Sequence, residues 1–68
     1  MIRKEAITIG VVEESLPSTN FKVKINERTV ICYLSGKMRL HNIRISIGDR
    51  VEIILSFDGN RGRIVKRL

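Results

Sequence analysis

SGKMRLHNIRIS (residues 35–46) is the one long stretch of this 68-residue chain that reads neither as a strand nor as a tight turn. It carries Lys37, Arg39, His41 and Arg44 without a single acid. Immediately before it, residues 29–34 (TVICYL) form an apolar, β-branched run, and soon after it residues 51–55 (VEIIL) form another, the pattern of buried strands. Within the stretch, Met38, Leu40 and Ile43 match helical spacing poorly over barely two turns. It is therefore a short helix or a loop, set between two strands.

Working outward, residues 7–16 (ITIGVVEESL) are β-branched and apolar as far as Glu13, and residues 21–26 (FKVKIN) alternate apolar and polar, the period of a half-buried strand. Pro17, Ser18, Thr19 and Asn20 between them are turn formers, so the two runs predict a hairpin. A polar turn at Asn26, Glu27 and Arg28 leads into the third strand. The fourth follows Gly48, Asp49 and Arg50, and a fifth over residues 63–66 (RIVK) follows the turn at Asp58, Gly59 and Asn60.

Five short strands with an irregular connector between the third and fourth predict an all-β fold: a five-stranded OB-fold barrel, partly open, with a short helix or loop between strands 3 and 4, an architecture used for oligonucleotides and oligosaccharides. Residues 1–68 form one domain in this reading, because a chain of this length buries only about 60% of its unfolded surface and has no room for a second. No repeat or low-complexity tract interrupts it.

Alternation then places Val12, Phe21, Val23, Ile25, Val30, Cys32, Leu34, Val51, Ile53, Leu55 and Ile64 inside, with Lys22, Lys24, Ile31, Tyr33, Glu52 and Arg63 outside. Gly10 admits two readings: the kink or bulge that a small barrel needs, or a glycine tolerated in an edge strand.

Thirteen basic against seven acidic residues give a net charge of +6, which favours an anionic partner, nucleic acid or an anionic membrane surface. With 43% hydrophobic residues the chain folds despite that charge. The cations cluster: four lie between residues 28 and 48 and four more, Arg61, Arg63, Lys66 and Arg67, between residues 60 and 68, with no acid in either block. If strands three and five are neighbours, the blocks merge into one patch that follows a phosphate backbone. A solvated basic tail is the competing account of the last residues. Tyr33 is either an outward base-stacking platform or a tyrosine capping the barrel edge.

The remaining chemistry is sparse. Cys32 lies in an apolar run and reads as a buried reduced thiol rather than a nucleophile. His41 has no cysteine or histidine at metal-ligand spacing. Asp49, Glu52 and Asp58 have no paired-carboxylate spacing, and residues 59–62 (GNRG) lack the ending of a phosphate loop. No enzyme, cofactor or metal is expected. No run approaches the ~18 apolar residues of a membrane-spanning helix, and the first residues lack the apolar region of a signal peptide, so the expectation is a soluble intracellular protein.

Five motifs, in order, carry a resemblance: SLPSTNFKV (residues 15–23), SGKMR (35–39), IRI (43–45), GDRV (48–51) and RGRIV (61–65). Together they resemble the bacterial-type translation initiation factor one family, including its plastid-encoded versions. The resemblance implies a factor that binds the aminoacyl site of the small ribosomal subunit. There it contacts the decoding region of the ribosomal RNA and a neighbouring ribosomal protein, blocks the site during initiation, and cooperates with initiation factors two and three. It also implies a monomer when free, in a bacterial cytoplasm or a plastid stroma.

By the same resemblance Lys37, Met38 and Arg39 fall in the RNA-contacting loop, Arg44 in the IRI motif, Arg61 and Arg63 in the basic motif, and Tyr33 where the family carries a histidine or aromatic. Lys37, Arg39 and Arg44 are expected on phosphates, and Met38 and His41 on bases or sugars. Lys66 and Arg67 complete the RNA-binding candidates. Phe57 stands where the family usually has tyrosine, and Lys66 where it usually has an aromatic. The alternative function is a general OB-type RNA-binding protein or RNA chaperone.

Overall fold

The computed structural model describes residues 7–68. Five strands, β1 (Ile7–Leu16), β2 (Asn20–Ile25), β3 (Arg28–Leu34), β4 (Arg50–Leu55) and β5 (Arg61–Arg67), and one helix, α1 (Gly36–Leu40), follow in the order β1, β2, β3, α1, β4, β5. The strands close into a barrel in the order β1-β2-β3-β5-β4, with β4 returning to β1. Every pairing is antiparallel except β3 with β5, which runs parallel from Ile31 opposite Arg61 to Leu34 opposite Ile64. That short parallel seam closes the five-stranded barrel that the sequence predicts. It also lengthens the fifth strand beyond the expected residues 63–66, since pairing with β3 already begins at Arg61.

The turns behave as their residues dictate. Ser18 and Thr19, at φ 60° and 56°, reverse the chain between β1 and β2, and Asn26, at φ 56°, does so between β2 and β3. Asparagine tolerates this left-handed region, whereas Thr19, being β-branched, adopts it at a cost. Strand alternation then sorts the side chains. Val12, Phe21, Val23, Ile25, Val30, Cys32, Leu34, Val51, Ile53 and Ile64 are buried as expected. Leu55 is the exception: it is only partly buried and packs against the edge of this core, because it lies at the open rim where β4 ends.

Gly10 is settled by its neighbours. β1 pairs on both sides, so it is no edge strand, and its irregularity lies between Val12 and Glu14 rather than at Gly10. What requires glycine is proximity: a Cβ there would sit 2.5 Å from Val23 Cγ1 and 2.9 Å from the Lys24 carbonyl oxygen. Gly62 on β5 repeats the device, with a Cβ falling 2.5 Å from Ile53 Cγ2 and 2.9 Å from Cys32 Sγ. Two glycines thus let the inner faces of a very small barrel approach each other.

The strand directions give the molecule two ends. The β1–β2 turn, α1, the loop at residues 41–49 and the end of β5 gather at one. The β2–β3 turn and the β4–β5 turn lie at the other.

Candidate nucleic-acid interface

The α1 end is built from the stretch that interrupts the strands. Ser35, nearly buried at the end of β3, donates its backbone N–H to the Ile64 carbonyl (3.0 Å), and its Oγ accepts from the Met38 N–H (3.2 Å). This is an N-cap, satisfying one of the amide donors a helix leaves open at its start. The helix stops in a Schellman motif. Asn42, at φ 52°, donates to the Arg39 carbonyl and Ile43 to the Met38 carbonyl, both at 3.1 Å.

Beyond the helix, the loop is stitched to β1. Gly48 donates to the Val12 carbonyl (2.8 Å), Val12 donates to the Asp49 carbonyl (2.9 Å), and Ser46 N–H donates to the Asp49 carboxylate (2.8 Å). The segment is therefore a short helix followed by an ordered loop, and together they cap the barrel.

Met38 differs from its expected role. It is 2% exposed and belongs to the core, with Ile43 and Ile45 packed against that cluster. The physical reason is the N-cap: fixing the first turn at Ser35 turns position 38 down into the barrel mouth. In this conformation Met38 presents almost no surface to a base or sugar.

The other candidates are sorted onto three surfaces. Lys37, His41, Arg44, Lys66 and Arg67 surround a groove of about 650 Å³ floored by Met38, Ile43 and Val65, and among the described residues no acidic side chain lines it. Arg39 lies with Arg44, Thr19 and Leu34 around a second hollow of about 420 Å³ on the other side of the loop. Tyr33, Arg61 and Arg63 lie on the outer wall, where the register sets Tyr33 opposite Arg63. The two basic blocks meet at the α1 end, where Lys37 and Arg44 share the groove with Lys66 and Arg67, and not in the β3–β5 seam, whose β3 residues Ile31 to Leu34 carry no charge.

A bulge aims the end of β5 at the groove. Ile64 pairs with Ile53 and Lys66 with Glu52, leaving Val65 as the extra residue. Bulges re-aim the side chains that follow. Arg67 accordingly reaches the loop, and its Nη1 donates to the Arg44 carbonyl at 3.1 Å. One of the predicted RNA-contacting cations is thus already engaged in holding another in place.

Sequence reasoning missed the groove's framework. Asn42 brings no charge, and Val65 reads simply as a strand residue. Asn42 alone left a signal, since asparagine just after a short apolar-periodic segment is a helix stop.

The chemistry of the rest is inert. Cys32 is fully buried and its thiol is pushed up to about 11 by desolvation, which keeps it protonated and unreactive at neutral pH. Among the described residues no cluster of histidine, cysteine and carboxylate groups has the arrangement to hold a metal ion, and no helix is long and apolar enough to cross a membrane.

Comparison with known proteins places this geometry. The family model for "Translation initiation factor 1A / IF-1" matches residues 1–68. Among solved structures the chain is similar to translation initiation factor one from the Wolbachia endosymbiont strain TRS of Brugia malayi, at 42% sequence identity and a TM-score of 0.77, over 93% of this chain and 77% of that one. It is also similar to YjeQ from Thermotoga maritima, at 34% identity and a TM-score of 0.74, over 93% of this chain but only 23% of that one. The closed five-strand barrel with its connector between β3 and β4 is an OB-fold.

Proposed function

The chain belongs to the translation initiation factor 1A / IF-1 family, and from that premise we propose that it binds the aminoacyl site of the small ribosomal subunit with its α1 end, gripping ribosomal RNA and blocking the site during initiation. The observation that carries this reading is the groove in which Lys37, His41, Arg44, Lys66 and Arg67 converge with no acid among the described residues that line it. The four cations among them, Lys37, Arg44, Lys66 and Arg67, repel one another in the free protein, and a phosphate backbone converts that repulsion into attraction while releasing counterions. The apolar floor of Ile43 and Val65 adds contact that charge alone does not supply. Arg39, on the far side of the loop, extends the grip to a second strand or a second phosphate run.

In this reading Tyr33, Arg61 and Arg63 continue the basic surface down the barrel wall. A neighbouring ribosomal protein and initiation factors two and three are its further partners, and it works where translation takes place, in a bacterial cytoplasm or a plastid stroma. A closed barrel has no free strand edge among the described residues, which supports a monomer. The role is one of occupancy, without catalysis.

Sedimentation with purified small subunits at two salt concentrations tests the reading. We expect stoichiometric binding that survives excess unstructured RNA, weakens steeply with salt, and falls at least tenfold in Arg39→Glu with the melting temperature unchanged. Wild-type affinity in that variant would remove the α1 end from the site.

A further inference from the structure

We propose that the Asp58–Gly59 peptide of the β4–β5 turn is this chain's site of spontaneous backbone isomerisation, where aspartate converts to isoaspartate, and that the folded turn restrains the reaction. It is the one place in the sequence where glycine follows an aspartate or an asparagine. Glycine leaves its own nitrogen unhindered by a side chain. Asp58 is exposed, so water has access to the turn.

The chemistry needs only the chain and water. The Gly59 nitrogen attacks Asp58 Cγ and loses its proton, and a carboxyl oxygen leaves as water, closing a succinimide ring. Water then adds to the Asp58 main-chain carbonyl carbon, and the bond from that carbon to the Gly59 nitrogen breaks. The chain now runs through Cβ and Cγ, and the former main-chain carbonyl is left as a carboxylate. Opening at Cγ instead restores aspartate. Nothing is oxidised or reduced and the net charge is kept, but the turn gains a backbone carbon and its brace is lost. The site lies at the end of the barrel away from the groove, so conversion alters the fold without touching the cations there.

The folded turn holds both reacting groups apart from this path. The attacking N–H of Gly59 is already donated to the Ser56 carbonyl at 2.9 Å. The carboxyl under attack is pinned as well: it accepts from Ser56 Oγ (2.6 Å), from the Asn60 N–H (3.0 Å) and from the Asn60 side chain (3.4 Å). Ser56 thus engages the nucleophile with its carbonyl and the electrophile with its hydroxyl. Across the end of the barrel the Arg28 guanidinium donates to the Gly59 carbonyl, anchoring the residue that would have to move. Hydrogen bonding, that of Ser56 first, also holds the Asp58 carboxyl below its ordinary value of 3.8. This keeps it in the ionised form, whose oxygen is the poorer leaving group. An unfolded chain has none of these restraints.

The test incubates the full chain at about pH 5, folded and in urea, and follows its tryptic peptides. Isoaspartate separates from aspartate at equal mass in the peptide of residues 51–61. We expect it to accumulate at residue 58 alone, and at least about tenfold more slowly in the folded protein than in urea. Ser56→Ala removes the hydroxyl bond and should speed the folded-state reaction about twofold to tenfold while leaving the rate in urea unchanged. Arg28→Ala leaves the carboxylate's own bonds in place and should act in the same direction, which keeps the test decisive if Ser56→Ala does not fold. Equal rates in the folded and the urea-unfolded wild type would overturn the proposal. So would a folded-state rate that neither variant raises, or isoaspartate accumulating at another position.

Discussion

The two ends of the barrel are closed by different physics. At the α1 end the cap is held by a serine hydroxyl, backbone carbonyls and a buried methionine, and its charged side chains are left to face outward around a groove. At the opposite end exposed charged side chains are spent on the chain itself: Asp58 organises its own turn and Arg28 ties that turn to the start of β3. A chain this small cannot rigidify both ends with apolar contacts, since it has only one thin core. Where cations must remain available to an anionic ligand, backbone groups and a buried apolar plug do the closing. At the other end, ionic side chains do the closing instead.

Met38→Ala breaks the comparison most severely. It removes the plug beneath α1 and leaves a cavity at the barrel mouth, and buried methionine-to-alanine changes cost about 2–5 kcal/mol. Thermal or urea denaturation should register a loss in that range, with affinity for small subunits falling in parallel. The β4–β5 turn should keep its hydrogen bonds under conditions where the variant is still folded. Full stability in Met38→Ala would mean that the cap is held by its backbone bonds alone.

This division also explains what is legible in the sequence. The strands are legible because alternation and turn formers report a local environment, and residues from Val12 to Ile64 fall on the expected face. The OB-fold follows from where the pattern is interrupted. Met38 is misread because interleaving with Lys37 and Arg39 looks the same whether an apolar residue faces a ligand or a core; only the Ser35 cap decides, and its consequence is three-dimensional. Arg67 lies at the basic end, but its bond to the Arg44 carbonyl depends on a bulge at Val65 that no local pattern announces. Phe57 stands out in the sequence only as a departure from the family, since nothing there says how its turn is braced.

Arg67 sharpens the comparison by separating two ways a cation serves a nucleic-acid site. As a strap on the loop it contributes one hydrogen bond, on the order of 0.5–1.5 kcal/mol net. Arg67→Ala should then weaken small-subunit binding roughly twofold to tenfold while leaving the slope of log affinity against log salt as it was. If Arg67 instead neutralises a phosphate, the slope should become shallower by about 0.7–0.9. Comparing the salt dependence of the variant with that of Arg39→Ala, where a shallower slope is expected, distinguishes the roles.

The smallest effect is expected at the braced turn and appears only in acid. Hydrogen bonding by Ser56, then by the Asn60 backbone, holds the Asp58 carboxyl below its ordinary value of 3.8. A carboxyl lowered on folding contributes stability above its unfolded pKa and loses that contribution as pH falls through the lower folded value. The turn should therefore be insensitive to pH between about 5 and 8 and loosen only below about 4. At the α1 end the Met38 amide donates to a hydroxyl that does not titrate. Amide chemical shifts followed by NMR should show a transition at Asn60 below about pH 4 and none of similar size at Met38. Asp58→Asn should abolish the Asn60 transition. If it persists in that variant, the brace of the β4–β5 turn lies elsewhere.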